Sequence, residues 1–303
     1  MKIRKKILIV GGTGFIGYHL AKKALKKGWL ITSISTNPPP KKRFLTRINY
    51  LICDISNKSL LKKKINQHFD YVVNLGGYVD HSNKKKTFKS HYLGCKNLAE
   101  IFLKKKVISF VQMGSSIEYG DRKSPHSEHV KCYTKSIKSI YGKAKLLSTI
   151  YLLDLFKKNH FPSTILRLYL AYGPKQDINR FLPIIIQGCL KDKKFPCSNG
   201  NQLRDFIHVD DVVDAILKSL TRKKSRGEII NIGSGKPKKI KNIINFVKKR
   251  IKGGQPQFGK IKLRKDEILK MYPNISKAKN KIGWKPKISF ATGIRNTIRS
   301  YYD

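Results

Sequence analysis

Tyr141 and Lys145 stand four residues apart, and in a helix that spacing places a phenol and an ammonium on one face. A nearby cation favours phenolate, so the pair suits a general acid/base that moves a proton to or from a carbinol near neutral pH. Tyr/Lys pairs also arise by chance on helices. What adds chemical weight here is Gly114-Ser115-Ser116-Ile117-Glu118-Tyr119-Gly120, which follows a strand-like run at 107–113. A parallel sheet presents its ligand-binding edge at the carboxyl ends of its strands. A serine hydroxyl at that edge would hydrogen-bond the reacting oxygen and help orient the phenol.

A second group of residues suits phosphate chemistry. The first apolar run, 7–10, leads directly into Gly11-Gly12-Thr13-Gly14-Phe15-Ile16-Gly17, and a helical pattern follows. Glycines at this spacing serve a tight turn, close approach of backbone to a pyrophosphate, and close packing of helix on strand, with the helix N-terminus facing the phosphates. The end of the second strand, where a carboxylate would bind the adenosine ribose of NAD, reads Ser35-Thr36-Asn37. Lys41, Lys42 and Arg43 follow a stiff Pro38-Pro39-Pro40 surface loop and suit either a 2′-phosphate or plain solvent, so NAD and NADP both stay open. Asp54-Ile55, at the end of the third strand, suits adenine contact or the approach to a helix cap.

The elements that must position these groups follow from periodicity. Short apolar runs at 7–10, 30–35, 50–53, 71–75, 107–113 and 164–168 alternate with helical patterns at 16–27, 88–105 and 136–159. Continuous apolar strands flanked by amphipathic helices imply a parallel sheet covered on both faces, a doubly wound α/β fold of Rossmann type. After Gly173-Pro174 the pattern loosens, with helices expected at 181–190 and 210–220 between Gly/Pro-punctuated stretches. The expected division is a dinucleotide-binding domain over 1–173, completed by part of 205–235, and a smaller loop-rich substrate lobe over 174–303.

Composition narrows the field. The chain has 303 residues, of which 40% are hydrophobic and 10% aromatic, enough for a sizeable core, and no apolar run approaches a membrane span. The basic opening is followed by too short an apolar run for a secretory signal, which points to the cytoplasm. Five widely spaced cysteines without a Cys-x-x-Cys pair read as reduced packing residues, with no metal site. The formal net charge is +47, which raises the question of nucleic acid. The lysines are spread along the whole chain and lack arginine clusters or interleaved aromatics, so the favoured reading is solvated helix faces and no nucleic-acid partner.

With these residues in place the sequence resembles the extended short-chain dehydrogenase/reductases, in particular the NAD-dependent epimerase/dehydratase family of nucleotide-sugar enzymes. Asn74-Leu75-Gly76-Gly77 resembles the family's cofactor-contacting turn, and Leu166 to Pro174 its Arg-containing strand and Tyr-Gly-Pro turn. Residues Arg204 to Asp211 resemble its Arg-Asp-Phe-x-His-Val-x-Asp signature, and Ile282 to Pro286 its C-terminal signature. The resemblance implies that Tyr141 is the catalytic acid or base, that Lys145 holds the nicotinamide ribose and depresses the Tyr141 pKa, and that Ser115 bonds the sugar hydroxyl. It places Gly11, Gly14, Phe15, Ile16, Gly17, Asp54, Ile55, Leu75 and Gly76 at the cofactor. Ser116, Asn179, Arg180 and Arg204 fall at the nucleotide sugar, with Arg204 on its diphosphate.

Three positions depart from the family pattern: Arg180, where Asn is common, His91, also in place of Asn, and the missing acid after the second strand. A 4,6-dehydratase would carry Asp-Glu where this chain has Ser116-Ile117, and Ile117 can transfer no proton. The resemblance therefore implies an epimerase acting through a keto-sugar first and an NADPH-dependent ketoreductase second. It further implies a homodimer and a place in polysaccharide precursor synthesis. A non-catalytic protein that senses a dinucleotide or binds nucleic acid is the alternative of a different class.

Overall fold

Alternate residues of the first strand point to opposite faces of the sheet, and both faces are covered. Ile7 and Ile9 pack into one hydrophobic cluster, and Leu8 and Val10 into another. The computed structural model describes residues 4–302 apart from 79, 81 and 264–266, so Met1, Lys2 and Ile3 of the basic opening lie outside the described residues.

In chain order the first half runs β1 (Lys6–Val10), α1 (Phe15–Lys26), β2 (Leu30–Ser35), β3 (Ile48–Ile52), α2 (Lys58–Lys64), β4 (Tyr71–Asn74), α3 (Lys84–Phe88), α4 (Gly94–Lys105), β5 (Ser109–Ser115), α5 (Ile140–Asn159) and β6 (Ser163–Leu168). The second half runs β7 (Leu170–Tyr172), α6 (Phe181–Leu190), β8 (Lys194–Pro196), β9 (Leu203–Arg204), β10 (Phe206–His208), α7 (Val209–Thr221) and β11 (Ile229–Ile232). It closes with β12 (Lys238–Lys239), α8 (Ile240–Ile251), β13 (Gln255–Gln257), β14 (Lys270–Met271), α9 (Ser276–Ile282) and α10 (Phe290–Arg299).

Seven strands form one parallel sheet in the order β11-β6-β5-β4-β1-β2-β3. The order reverses direction beside β1, which is the topological switch point where such sheets bind ligands. Helices α1 and α7 cover one face through Leu20, Ala24, Val212 and Ile216, and α4 and α5 cover the other through Leu98, Phe102 and Leu152. A third cluster, built on Tyr172, Ile185, Ile186, Phe206, Ile243, Ile244 and Val247, forms a separate core from α6, α8, β10 and their neighbours.

The last signature is tied back to the first core. Trp284 is buried and donates its indole N–H to the Asp211 carbonyl at 3.0 Å, while the Asp211 carboxylate accepts from the backbone N–H groups of Lys287 and Ile288. These bonds tie the two C-terminal motifs directly to each other.

Several boundaries differ from expectation. The third strand begins at Ile48 and ends at Ile52, because Ile31 of β2 pairs with Ile48 and Ser35 with Ile52. The helix expected at 88–105 begins at Lys84 and contains a π turn over Lys89–Leu93 before α4. The helix expected from 136 begins at Ile140, where the Ser139 hydroxyl caps it by accepting from the Gly142 N–H at 3.1 Å. All five cysteines are free, and only Cys132 is not fully buried. Among the described residues no helix is long and apolar enough to cross a membrane, and no group of three or more His, Cys, Asp and Glu is placed to hold a metal ion.

Candidate active site

The glycine loop forms a tight cradle at the switch point. Gly11 has φ +77° and donates its N–H to the Ile34 carbonyl at 2.7 Å. A Cβ on Gly17 would lie 2.2 Å from the Gly11 carbonyl oxygen and 2.6 Å from the Gly12 Cα, so only hydrogen fits between α1 and the loop. Gly14 is the N-cap of α1 and provides no side-chain cap, which leaves the first-turn N–H groups of α1 to another acceptor. Phe15 and Ile16 begin that helix, and Leu75-Gly76 lies across the loop, where a Cβ on Gly11 would stand 3.1 Å from the Gly76 nitrogen. The Asn74 amide orders this turn, accepting from the Gly76 N–H at 3.0 Å and donating to Gln112 at 2.8 Å. Such a cradle fits the pyrophosphate of a dinucleotide.

Around the adenosine end local contacts order the turn after β3, and the reading of Arg43 needs correction. Asp54 is exposed and accepts from the Ser56 N–H, and the cap of α2 is Asn57, whose side chain accepts from the Leu60 N–H. Ile55 is buried among the α4 contacts. Arg43, read as part of a solvated loop or as a partner for a 2′-phosphate, is only 5% exposed. Its guanidinium donates to the Lys175 carbonyl at 2.7 and 3.1 Å and to the Asp177 carboxylate at 2.6 Å. Desolvation of a charge is tolerated only with such partners, and Arg43 has them 132 and 134 residues away in the chain.

The reactive groups converge at the carboxyl end of β5. Ser115 is the last residue of that strand rather than the start of the following loop, and it pairs with Leu168 of β6. The Ser115 hydroxyl hydrogen-bonds Tyr141. Lys145 is buried, with its Nζ donating to the Met113 carbonyl at 2.7 Å and lying 5.8 Å from the centre of the Tyr141 ring. Burial pushes the Lys145 ammonium down to about 8, against the pull of the Glu118 carboxylate. Burial also pushes the Tyr141 phenol above its ordinary value, and this outweighs the Ser115 hydrogen bond and the Arg180 charge, which act in the opposite direction. The expected depression of Tyr141 is thus reversed by desolvation in the protein alone.

His91, noted above only as a departure, proves to be a neighbour of this centre. Its ring meets the Tyr141 ring edge-on at 4.9 Å, and its Nε2 lies 3.2 Å from the Tyr78 carbonyl. A Cβ on Gly77 would stand 1.8 Å from His91 Cε1, so the glycine makes room for the imidazole. The π turn carrying His91 is anchored by the Ser148 hydroxyl, which donates to the His91 carbonyl at 2.8 Å.

Sequence reasoning held Glu118 and Arg167 only inside longer motifs and assigned a role to neither. Glu118 is fully buried in the turn Ser116–Tyr119, accepts from the Ser115 N–H at 2.7 Å, and pairs with Arg167 Nε at 2.9 Å. The signal was present as Ser115-x-x-Glu118, the pattern of a capping box.

The substrate-side residues spread away from this centre. The Ser116 hydroxyl faces the Met271 sulfur at 3.5 Å. Asn179 and Arg180 are exposed just before α6. Beyond them a cavity of about 360 Å³ is lined by Phe181, Ile184, Pro196, Cys197, Ile244 and Glu267, among others. In the protein alone Arg204 pairs with Glu267 and donates to the Leu203 and Leu269 carbonyls. A larger shallow depression of about 560 Å³, lined by Asp192, Lys248, Lys249 and Lys252 among others, shares no residue with this cleft.

This geometry can be set beside known proteins. The family model described as the NAD dependent epimerase/dehydratase family matches residues 7–233. The chain belongs to that family. As an extended short-chain dehydrogenase/reductase it falls among enzymes that modify nucleotide-linked sugars. It is 28% identical to UDP-N-acetyl-alpha-D-glucosaminuronate decarboxylase of Bacillus cytotoxicus, covering 98% of each chain, and 25% identical to CDP-abequose synthase of Salmonella muenchen, also over 98% of each. Among solved structures, UDP-glucuronic acid 4-epimerase of Bacillus cereus, in complex with UDP-glucuronic acid and NAD, superposes with a TM-score of 0.85 at 26% identity, covering 98% of this chain and 99% of that one.

Proposed function

We propose that this protein is an NAD(P)-dependent nucleotide-sugar epimerase that transiently oxidises a sugar hydroxyl to a ketone. The observation that carries the reading is the convergence of Ser115, Tyr141 and Lys145 at the end of β5, beside the glycine cradle. Gly11, Gly14 and Gly17 hold the cofactor pyrophosphate against the start of α1. When bound, the nicotinamide supplies the acceptor and donor of hydride.

The remaining chemistry belongs to the chain. The Tyr141 oxygen takes the proton of the sugar hydroxyl as the carbon–hydrogen bond breaks, and returns it when the ketone is reduced on its other face. Ser115 hydrogen-bonds the reacting oxygen. Lys145 holds the ribose, and its charge lowers the cost of forming phenolate in a buried site. Exposed Asn179 and Arg180 lead toward the apolar cavity behind Phe181, which suits the base of the nucleotide, and Arg204 meets the diphosphate by exchanging Glu267 for it.

Ser116-Ile117 stands where a 4,6-dehydratase would carry Asp-Glu, and Ile117 can transfer no proton, which disfavours dehydration. The second reading, a ketoreductase using NADPH, is supported by Ser35-Thr36-Asn37 at the end of β2, where no carboxylate stands. A homodimer in the cytoplasm is the expected working form, and Ile150, 48% exposed on α5, is available for a helical interface.

The test is mass spectrometry and proton NMR of products from UDP-, dTDP-, GDP- and CDP-sugars, uronic acids included, with NAD or NADPH. Unchanged mass with inverted configuration and no net cofactor consumption is the expected result, and Tyr141→Phe abolishes it. Gain of two hydrogens with NADPH consumed establishes the ketoreductase instead. Loss of water or of carbon dioxide overturns the epimerase reading.

A further inference from the structure

Glu118 sits where three elements meet, and each element sends it one donor. The Ser115 N–H at the end of β5 reaches Oε1 at 2.7 Å. The Thr149 hydroxyl on α5 reaches Oε2 at 2.7 Å, and Arg167 Nε on β6 reaches the same oxygen at 2.9 Å. The carboxylate is wholly buried, and its Oε1 occupies the space a side chain at 114 would fill, since a Cβ on Gly114 would stand 2.6 Å away. A buried carboxylate so satisfied has one geometry available to it.

The three donors matter because of what stands beside them. Thr149 lies one helical turn beyond Lys145 and two turns beyond Tyr141, so all three share a face of α5. Lys145 already reaches β5 through the Met113 carbonyl. Glu118 supplies a second tie between the same helix and the same strand, at the residue whose hydroxyl bonds Tyr141.

We propose that Glu118 is the positioning residue of the reactive centre: by gripping the Ser115 backbone and the Thr149 hydroxyl together, it fixes the separation between Ser115 and the helix that carries Tyr141 and Lys145. It touches neither cofactor nor substrate. Arg167 neutralises it, and is in turn packed on the Tyr119 ring at 4.5 Å and placed 3.6 Å from the Cys132 sulfur, so the charge needed to bury Glu118 is supplied from the far side of the site. The inference rests on the function proposed above only in calling this centre reactive. The grip itself is a matter of geometry.

Removing Glu118 outright leaves Arg167 buried without its partner and endangers the fold. Thr149→Val is therefore the first variant, because it keeps the side-chain shape and the Glu118–Arg167 pair and deletes only the helix arm. Glu118→Gln is the second. With a substrate established, the expected result for Thr149→Val is a fall in kcat of roughly tenfold or more, with KM changed far less, because misplacement of reacting groups by a fraction of an ångström acts on turnover. In protein carrying carbon-13-labelled tyrosine, the Tyr141 signal, identified by its loss in Tyr141→Phe, moves in both variants.

That second measurement needs no substrate. A wild-type protein silent on every nucleotide sugar would remove the functional reading and still leave the positioning claim to be decided by the Tyr141 signal. Folded variants whose Tyr141 signal stays in place, or which turn over at the wild-type rate with the wild-type KM, overturn it.

Discussion

Replacing Lys145 by Met should make the protein more stable at neutral pH while removing its chemistry. Lys145 is 4% exposed, and burial brings its ammonium from 10.5 down to about 8. At about 1.4 kcal/mol for each tenfold change in proton affinity, that gap costs the folded state about 3 kcal/mol wherever the lysine is charged in both states. Met fills the space without charge. It also leaves the Met113 carbonyl without the Lys145 donor, which returns about 1 kcal/mol of the gain. The net expectation is a stabilisation of about 2 kcal/mol at pH 7.

The pH dependence has a definite sign. The folded-state value lies below the unfolded one, so the cost is complete below pH 8, fades as pH rises toward 10.5, and vanishes where both states hold a neutral amine. Urea unfolding followed by the fluorescence of buried Trp284, for wild type and Lys145→Met at pH 7 and pH 10, reads both claims. The variant should be the more stable at pH 7 and the gap should narrow at pH 10. A variant less stable than wild type at pH 7 would refute the reasoning and make Lys145 a strut whose bond to Met113 outweighs its desolvation.

Further outcomes follow from the same contacts. Gly17→Ala forces a Cβ against backbone at 2.2 Å and should cost about 1–3 kcal/mol and abolish dinucleotide binding measured by calorimetry, whereas Gly14→Ala, whose Cβ meets only the Gly11 carbonyl at 3.1 Å, should keep the fold and weaken binding alone. Arg43→Met should change NAD and NADP affinity in parallel, since its guanidinium is committed to Lys175 and Asp177; a selective loss of NADP affinity would restore the phosphate-reading role. Gly77→Ala should destabilise wild type but be relieved by His91→Asn, and a double-mutant cycle should show a coupling of about 1 kcal/mol or more.

What the sequence disclosed is what depends on neighbours in the chain. The glycine loop, the Tyr141/Lys145 pair and the alternation of strand and helix are set within a few residues, and each lies where periodicity placed it. Strand β3 was misplaced because its ends are fixed by register with β2 rather than by its own apolar run. The longer-range partners were illegible for a stronger reason. Arg43 looks solvated until Lys175 and Asp177 arrive, Arg204 looks free until Glu267 does, and Glu118 meets Arg167 across 49 positions. The Tyr141 phenol was expected to titrate low because a helix wheel shows its cation and not the walls around it.

The edge strand β11 has a consequence for how the chain must be made. β6 ends at Leu168, and its outer neighbour does not begin until Ile229. At translation rates of about 5–20 residues per second, those intervening 60 residues leave the buried edge of β6 unpaired for about 3–12 s on the ribosome. Throughout that interval the nascent sheet offers a hydrogen-bonding edge flanked by apolar residues, the kind that captures other chains. Slowing synthesis between 169 and 228 would lengthen the exposure, so the yield of native protein should depend on codon speed and on strand-binding chaperones across that stretch, and far less elsewhere.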